Sequence, residues 1–573
     1  MTTSSIIPPV DRRTVLATGT AAGLATVAAT AAGTANAGEA SRAAAGPAGK
    51  RYFQHGVASG DPRPRKVILW TRVTPTPAST PGSGKGPKVE VTWEVAKDKA
   101  FRKVVKRGTF ATGPARDHTV KLDVSGLKPA TWYHYRFTYR GARSEVGRTR
   151  TAPRRRSTPR NLRLGVVSCA NLQAGWFSAY RGIAARNDLH AVVHLGDYLY
   201  EYAPGQYGLG QANVDVRPHE PAREMVSLAD YRQRHAQYKR DADLQAAHAK
   251  FPWIVTWDDH EVTNDQYDEG AENHQDDEGN YKRRRARAHR AYDEWMPVQL
   301  NNTTELGDGN RLYRRLRFGK LAEISMLDLR TYRSEQVATT FPAPVPTPDG
   351  EVNDPDRTIT GAKQLRWLKK SLQRRSALWK VIGNPVMITP VTFGSVPADL
   401  IDPVNDVTGL LPADGLPYNV DQWDGYTADR KEVFAFIKDH SVENALFITG
   451  DIHSGWACEL PYDAGTYPVS GSAGVEFVCS SVTSNNLKDI TGTPAHTTSE
   501  VVEAGILAAN PYIKYLNFDD HGFSVLDLTA KRAQMDWFII GDRADKKTAI
   551  TYSTSYQTKS GTNTVTRVGK PVA

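Results

Sequence analysis

Five separated segments of the sequence carry side chains that bind metal ions or transfer protons, and each follows a short apolar run. They are Val166-Val-Ser-Cys169, His194-Leu-Gly-Asp197-Tyr-Leu-Tyr200, Trp257-Asp-Asp-His260-Glu261, Ile382-Gly-Asn384 and Gly450-Asp-Ile-His453. Thiol, carboxylate, phenol, amide and imidazole groups are thus available from distant parts of the chain. A dinuclear hydrolase needs such a convergence, because two nearby cations must be held by side chains from different elements.

Spacing within these segments indicates which side chains can meet. Asp197 and Tyr200 are three residues apart, so one helical turn would place both on the same side. Asp451 and His453 are two residues apart, so an extended segment would place both on one face. Because Gly196 permits a tight turn before it, Asp197 is the natural candidate to bridge two cations.

The ligand types divide into two sets. Asp259 and Asn384 supply hard oxygen atoms, which suit a Ca²⁺-like ion. A thiolate, a phenolate, a carboxylate and an imidazole together suit trivalent iron better than Ca²⁺ or Mg²⁺. The sequence therefore predicts one redox-type metal beside one or more hard cations. We expect Asp258 to support this site rather than to bind metal.

The segments follow a series of short apolar strands spaced by helical stretches. This pattern predicts an α/β domain with much parallel sheet, and ligands gather at the carboxyl ends of such strands. We place this domain at 161–548 and a C-terminal tail at 549–573. Two Pro-, Gly- and Asp-rich stretches, 341–357 and 391–427, are predicted as long loops. The predicted strands cover 162–167, 190–195, 254–257, 324–328, 380–383 and 445–449.

The front of the chain, 51–152, has a different pattern of short strands and turns. Strands are predicted at 67–70, 89–93 and 131–137, the last with alternating aromatic residues. The turn Gly126-Leu-Lys-Pro129 and the tyrosines after it resemble the tyrosine corner of immunoglobulin-like sandwiches. We predict one small β-sandwich, followed by a polar hinge.

Taken in order, the five segments resemble the motifs of the calcineurin-like metallophosphoesterases, in the variant form of PhoD-like enzymes. In that variant, Ser-Cys stands for Asp-x-His, Gly-Asp-x-x-Tyr for Gly-Asp-x-x-Asp, and Gly-Asp-x-His for Gly-His-x-His. The resemblance extends over about 51–548. It includes the segments His55-Gly-Val-Ala-Ser-Gly-Asp-Pro62, Leu69-Trp-Thr-Arg72, Leu327-Asp-Leu-Arg330-Thr-Tyr-Arg333 and Asp421-Gln-Trp-Asp-Gly-Tyr426.

The resemblance implies a specific set of ligands and a reaction. A metal-bridging oxide or hydroxide would attack phosphorus in line. His260 would serve as general acid or charge stabiliser. Arg333 is our own addition, as a group that holds developing negative charge. The implied ligands are Cys169, Asp197, Tyr200 and His453 for Fe³⁺, and Asp197, Asp259, Asn384 and Asp451 for Ca²⁺.

The implied fold is an α/β (α+β) metallophosphoesterase sandwich of mixed sheets flanked by helices, after a small immunoglobulin-like β-sandwich. The implied activity is hydrolysis of phosphate mono- or diesters, of the alkaline phosphatase D type. An alternative is a phospholipase D that acts on phospholipid head groups with the same metal site. That alternative predicts an exposed apolar rim within 391–427, where Leu400, Leu410 and Leu416 lie.

Two functions of other classes were weighed against a hydrolase of this kind. A non-catalytic binding module would require a degraded metal site, and none of the five motifs is degraded. A secreted nuclease would require a basic groove beside the metals, and Lys282–Arg285 is the only cluster we could offer. The net charge of +11 is spread along the chain. We therefore expect no stable nucleic-acid partner.

The first 37 residues have the features of an export signal. Arg12-Arg13 precede a weakly apolar stretch, and Ala35-Asn-Ala37 fits a signal cleavage site. We predict a twin-arginine signal at 1–37 and a linker at 38–50, hence a secreted protein that engages the Tat machinery. No later segment has the length and composition of a membrane span. Of the three cysteines, Cys458 and Cys479 could form a disulfide or could be separate core residues.

Overall fold

The computed structural model describes residues 48–207, 215–298, 300, 311–340, 345–346, 351–393 and 416–572. The helices among them are α1 (Ala48–Tyr52), α2 (Ser178–Ala185), α3 (Leu228–Tyr238), α4 (Ala242–Lys250), α5 (Tyr281–Trp295), α6 (Ala362–Leu372), α7 (Thr427–Asp439), α8 (Leu487–Thr491) and α9 (Thr498–Ala509). Short 3₁₀ turns cover Pro114–Arg116, Asp276–Glu278, Glu351–Asn353 and Trp423–Gly425.

Strands account for most of the remaining regular structure. The first half of the described chain contributes β1 (Val57–Arg63), β2 (Lys66–Arg72), β3 (Val89–Ala96), β4 (Val104–Thr112), β5 (Thr119–Ser125), β6 (Trp132–Tyr139), β7 (Ala142–Arg143), β8 (Gly147–Arg150), β9 (Asn161–Val167), β10 (Ala191–His194), β11 (Pro252–Val255), β12 (Arg314–Phe318) and β13 (Ala322–Met326). The second half contributes β14 (Thr339–Thr340), β15 (Val345–Pro346), β16 (Trp379–Asn384), β17 (Thr392–Phe393), β18 (Leu416–Pro417), β19 (Ala445–Thr449), β20 (Gly455–Pro461), β21 (Ser472–Val478), β22 (Ile513–Asn517), β23 (Gly522–Thr529), β24 (Arg532–Ile540), β25 (Ile550–Lys559) and β26 (Thr566–Val568).

The front strands form two facing layers around one apolar core. β3, β4, β6, β7 and β8 form a five-stranded sheet, whereas β1, β2 and β5 belong to a ten-stranded sheet. Buried Val67, Val91, Tyr135 and Phe137 belong to one core cluster that both layers supply. The hydroxyl of Tyr133 accepts a hydrogen bond from the backbone N–H of Lys128 at 2.8 Å, as expected for a tyrosine corner.

One layer of this front sandwich therefore continues into the main body of the molecule. The ten-stranded sheet has the order β26-β25-β24-β23-β9-β10-β11-β1-β2-β5. β1 pairs with β11 in parallel, so a strand of the front segment extends the sheet that carries three of the candidate motifs. The segment 549–573, which we set apart as a tail, supplies β25 and the edge strand β26.

A second large sheet packs against the first. It has the order β12-β13-β16-β19-β21-β20-β22, and β13, β16, β19 and β21 are parallel neighbours. Side chains of both sheets, including Leu164, Val193, Val381 and Ile448, share one buried core. Helices α2 to α5 contribute to the core on one outer face, and α6 and α7 to the core on the other. Mixed sheets flanked by helices are thus confirmed.

Several sequence predictions fall on residues beyond the described ranges. The proposed signal at 1–37, most of the linker and the Leu400 and Leu410 part of the predicted apolar rim lie there. The described parts of the two long loops contain only the short strands β15, β17 and β18 and two 3₁₀ turns. None of the described helices combines the length and the apolar composition needed to cross a bilayer.

Candidate metal centre

The predicted ligands follow the carboxyl ends of neighbouring strands. Cys169 lies just after β9, Asp197 after β10 and Asp259 after β11, and these three strands are parallel neighbours. Asp451 and His453 follow β19 of the other sheet. Because both sheets present these ends at one edge, segments nearly 300 residues apart in sequence meet there.

The first group contains the four residues implied as iron ligands. Ligand atoms of Cys169, Asp197 and His453 all lie within 4.8 Å of one another. The hydroxyl of Tyr200 donates a hydrogen bond to Asp197 Oδ2 at 2.9 Å and lies 3.3 Å from His453 Nε2. A thiol, a carboxyl, a phenol and an imidazole therefore face one point.

The second group is made of carboxylates and shares a member with the first. Oxygen atoms of Asp197, Asp258, Asp259 and Asp451 lie within 4.8 Å of one another. Asp197 thus belongs to both groups, which is the geometry required of a bridging ligand. Asp258, which we expected only to support the site, is placed among the candidate ligands.

Four of these residues hold a strained backbone conformation. Cys169, Asp197, Asp451 and His453 have φ values of 58°, 54°, 65° and 53°, in the left-handed region that non-glycine residues seldom adopt. Such strain gathers at functional sites, where the surrounding structure holds it. Gly196 has φ +118°, and an added Cβ would lie 2.5 Å from Asp258 Cβ, so the turn before Asp197 requires glycine.

The electrostatics of the two groups favour bound cations. Burial, followed by the nearby carboxylates Asp197 and Asp451, raises the pKa of the Cys169 thiol well above its usual value. Burial likewise raises the pKa values of Asp197 and Asp451 well above the usual range. Buried Asp197 Oδ1 has no hydrogen-bond partner among the described residues. Cations bound here would stabilise the deprotonated ligands, so the donor set fits metal ions.

His260 is held against this centre by a buried carboxylate. Its Nδ1 lies 2.7 Å from Glu201 Oε2, and a ring nitrogen lies within 4.8 Å of oxygens of Asp197 and Asp259. Burial lowers the pKa of His260, but Asp259, Glu201 and Asp197 outweigh burial and raise the pKa well above its usual value. The imidazole therefore favours the protonated form, as a proton donor requires.

Arg333 and Asn384 are the two predicted residues that the structure does not bring into contact with the candidate ligands. Arg333 donates to the backbone of Gln266 at 2.8 Å and to the Asp421 carboxylate at 2.7 Å. Asn384 Oδ1 accepts from the indole N–H of Trp423 at 3.2 Å. The Asn384 amide N–H group donates to the carbonyl of Val386, two residues after the end of β16.

Comparison with known proteins identifies the family. The model of PhoD-like phosphatases matches residues 164–537, and the model of the PhoD-like phosphatase N-terminal domain matches residues 38–153. The chain belongs to the PhoD-like phosphatase family. The resemblance inferred from the motifs is thereby confirmed, as is the prediction that the chain is a hydrolase of this kind.

Individual relatives of this PhoD-like chain agree with the family match. Alkaline phosphatase D of Bacillus subtilis (strain 168) is 37% identical over 504 residues, which cover 88% of this chain and 80% of the relative. The solved structure of PhoD superposes with a TM-score of 0.79 at 33% identity and covers 91% of this chain and 93% of its own. The predicted fold class is confirmed by this superposition.

Arg330 is a PhoD-like site residue whose role the sequence analysis missed. Its guanidinium is fully buried, donates to Asp258, and lies 3.2 Å from Asp451 Oδ1. Two further bonds of 2.8 and 2.9 Å join it to Asp421. We had assigned the cationic role to Arg333, three residues later. The segment had been noticed as a motif, but spacing alone could not show which arginine faces the carboxylates.

Three further residues support the turns and ligands of the PhoD-like site, and of these only Glu261 stood in a segment that the sequence analysis singled out. The Glu261 carboxylate accepts from the backbone N–H groups of Asp197, Tyr198 and Asp258 at 3.1, 2.7 and 2.8 Å. Ser484 Oγ lies 2.6 Å from the Tyr200 hydroxyl. The carbonyl of Asn485 accepts from His453 Nδ1 at 2.6 Å, which leaves Nε2 facing the ligand group. No sequence signal marked Ser484 or Asn485.

The three cysteines have separate surroundings. All three are buried and free, so no disulfide joins Cys458 to Cys479. Cys479 Sγ lies 3.4 Å from the hydroxyl of Ser168, the neighbour of Cys169 in sequence. Of the Lys282–Arg285 cluster, Arg284 and Arg285 are buried rather than exposed, and Arg284 pairs with Glu224 and Glu278. That cluster therefore does not form the basic groove that a nuclease would need.

Proposed function

We propose that this chain is an exported, metal-dependent phosphoesterase that hydrolyses phosphate mono- or diesters at the two ligand groups sharing Asp197. The shared carboxylate is the observation that carries the proposal, because two cations must lie close together to act on one phosphoryl group. The family supports phosphate esters as substrates. The phospholipase D alternative is not favoured, since both family models describe phosphatases.

The residues divide between two cations in our proposal. Cys169, Asp197, Tyr200 and His453 would hold Fe³⁺, because thiolate and phenolate ligands suit trivalent iron. Asp197, Asp259 and Asp451 would hold Ca²⁺ through carboxylate oxygens. When bound, the ions supply positive charge that polarises the phosphoryl group and acidity that activates water.

Asn384 is the weakest member of the proposed calcium set. To bind an ion, its Oδ1 would have to share the lone pairs that now accept from Trp423. Asp258 offers a second carboxylate in the same group of oxygens. Arg330 bonds to Asp258 and Asp451, so it would offset part of the negative charge of that group.

His260 has the proton-donor role in our proposal. Its Nδ1 is held by Glu201, whose pKa is lowered to about 2 because His260 and several hydrogen-bond donors outweigh the effect of burial. An ionised Glu201 orients the ring and stabilises the imidazolium. The proton would pass to the leaving-group oxygen of the ester. Arg333 keeps one role, since its buried Nη2 has no partner among the described residues and could meet a phosphate oxygen.

Metal analysis tests this proposal directly. Purified protein is expected to contain iron and calcium, to absorb in the visible range through tyrosinate-to-iron charge transfer, and to lose hydrolysis of an aryl phosphate on chelation. A Cys169→Ala, Tyr200→Phe double variant is expected to lose the absorption band and most activity. Cys458→Ala, which removes a buried free thiol that is no candidate ligand, is the matched control. Full activity in the double variant would overturn the iron assignment.

Export through the Tat pathway is proposed from the twin arginine Arg12-Arg13 and the cleavage pattern at Ala35–Ala37. Fractionation of producing cells tests it. Replacing both arginines by lysine is expected to retain the protein inside the cell, while Arg42→Lys leaves export unchanged. Equal export of the two variants would contradict the proposal.

A further inference from the structure

A groove of about 650 Å³ lies along strand β12 and is lined mainly by cations. We call it the β12 groove. Its lining comes from five parts of the chain: the β1–β2 turn, the hinge after β8, strand β12, Glu323 of β13, and α6 with the residues just after it. The cations that matter here are Arg63, Arg65, Arg155, Arg315, Arg317 and Arg374.

The alternation of β12 explains part of this clustering. Its burial pattern places Leu316 and Phe318 inside, whereas Arg315 and Arg317 face outward. β12 is also an edge strand, and charged side chains there discourage pairing with other chains. That account covers β12 alone. It gives no reason why Arg63, Arg65 and Arg155, from distant segments, line the same groove.

The charge of the groove is only partly compensated. Glu323 is the one acidic side chain among the described lining residues, and it lies 3.2 Å from Arg374 and 4.0 Å from Arg315. Arg317 bonds to backbone carbonyls, including that of Gly319 at 2.9 Å. Arg63, Arg65 and Arg155 have no ion pair within the described part of the chain. A surplus of several positive charges therefore faces one concave surface.

We propose that the β12 groove binds a linear polyanion of repeated phosphate groups. Guanidinium groups pair with phosphate through two parallel hydrogen bonds, and several of them along a groove match several phosphates in succession. A bilayer surface fits less well, because the site is concave. The large apolar side chains exposed in the described structure, Val105, Val469, Ile490 and Val501, all lie outside the groove.

This site is separate from the hydrolytic centre. None of the candidate metal ligands lines the groove. In the β12–β13 register Arg317 lies opposite Glu323, near the start of β13. The candidate ligands instead follow the carboxyl ends of their strands. The proposal therefore goes beyond the proposed function and requires no bound metal.

Polyphosphate binding by the purified chain in the presence of chelator tests the inference. Fluorescently labelled inorganic polyphosphate is titrated at several salt concentrations. The Arg63→Gln, Arg65→Gln, Arg155→Gln triple variant is expected to bind at least tenfold more weakly. The slope of log K against log[salt] is negative, and its magnitude should decrease by about 2, at about 0.7 per lost phosphate contact. Hydrolysis of a small aryl phosphate by the metal-loaded triple variant should be unchanged.

A matched control removes the same charge elsewhere. Arg102, Lys103 and Arg107 are exposed residues around β4, and their triple Gln variant should keep full affinity. Circular dichroism and thermal midpoints establish that both triple variants fold. Equal affinity and salt slope in the two triple variants would overturn the proposal, whatever the hydrolytic activity.

Two further probes identify the class of polymer. If single-stranded oligothymidylate also binds, and the groove triple variant weakens that binding, the groove accepts phosphodiester chains. If polyphosphate binds and oligothymidylate does not, the groove is specific for anhydride-linked chains. Phosphatidylglycerol vesicles form the third arm. Groove-dependent binding of vesicles without binding of either polymer would overturn the proposal in favour of a membrane surface.

Discussion

Cys169, Asp197, Asp451 and His453 each hold a backbone conformation that costs on the order of 1–3 kcal/mol. Neighbouring groups must supply that free energy. Glu261 does so by accepting three backbone N–H bonds from the turns that carry Asp197 and Asp258. Protein contacts thus fix the turns that carry Asp197 and Asp258, which lowers the entropy lost when an ion binds to them.

Glu201 is expected to matter for catalysis although it follows the predicted ligand Tyr200 without being one. Glu201→Gln should lower kcat/KM for an aryl phosphate by about 10- to 100-fold, because the ring of His260 loses its ionised partner. The measurement is steady-state kinetics at saturating metal.

The control for this variant is Glu272→Gln, which removes an exposed carboxylate on the neighbouring loop. Metal content by elemental analysis separates a positioning effect from metal loss. Equal kcat/KM in wild type and Glu201→Gln would show that His260 needs no partner.

Residue types and spacing marked the five segments, and the family resemblance implied seven metal ligands in them, of which the structure groups six. Glu201 and Arg330 were missed because their roles depend on what lies across the fold. Arg330 contacts Asp258, 72 residues away, and Asp421, 91 residues away. Side-chain contacts between such distant segments leave no periodic signal in the sequence.

At the scale of elements, the junction between the front sandwich and the main body is held by a buried ion pair. Arg314 of β12 bonds both oxygens of Asp61 in β1, at 2.6 and 2.9 Å. Asp61→Asn is expected to destabilise the protein by about 3 kcal/mol, because it leaves the buried guanidinium uncompensated. Chemical unfolding of the purified protein measures the change.

A more exposed ion pair between β2 and β5 supplies a matched contrast. Asp123 pairs with Lys66 at 2.9 Å, but the lysine side chain is 46% exposed. Asp123→Asn should therefore cost less than about 1 kcal/mol. Similar losses for Asp61→Asn and Asp123→Asn would contradict a structural role for the buried pair.

Every strand that the sequence predicted exists, because alternating or continuous apolar runs report burial directly. Partner choice between strands was not predictable in the same way. β1 pairs with β11, about 190 residues later, and this pairing gives the front segment and the main body a common sheet. The apolar pattern of β1 would be the same whether it paired within the front segment or with β11 of the main body. The sequence therefore could not predict the shared sheet.

For the whole molecule, buried histidines predict acid sensitivity. Burial lowers the pKa of His289 to about 3 and holds the pKa values of His55, His219 and His235 well below 6.5. The unfolded chain binds these protons below pH 6.5 while the folded chain does not. The stability that these histidines contribute is therefore full above pH 6.5 and falls on acidification, by up to about 1.4 kcal/mol per pH unit for each histidine.

Urea unfolding between pH 8 and pH 5, with chelator present to remove metal effects, measures this dependence. His289→Gln should reduce the pH slope by about one proton, whereas His440→Gln, at an exposed helix end, should leave the slope unchanged. The same pH slope in wild type and His289→Gln would contradict the prediction.

Overall charge illustrates what composition alone conveys. The excess of +11 looks evenly spread along the sequence, yet folding gathers arginines from four segments into the β12 groove. Conversely, the conspicuous run Lys282–Arg285 is divided by its helix, with Arg284 and Arg285 turned inward. Surface charge is a property of the folded molecule, and linear clustering was a poor guide to it.

The position of β9 sets an order of events during synthesis. Its strand, which leads to Cys169, lies between β10 and β23, and β23 ends at Thr529. A nascent chain on the ribosome cannot complete this sheet until Thr529 has been made, 360 residues after Cys169. A chain truncated before β23 would therefore leave the thiol strand without one of its two partners.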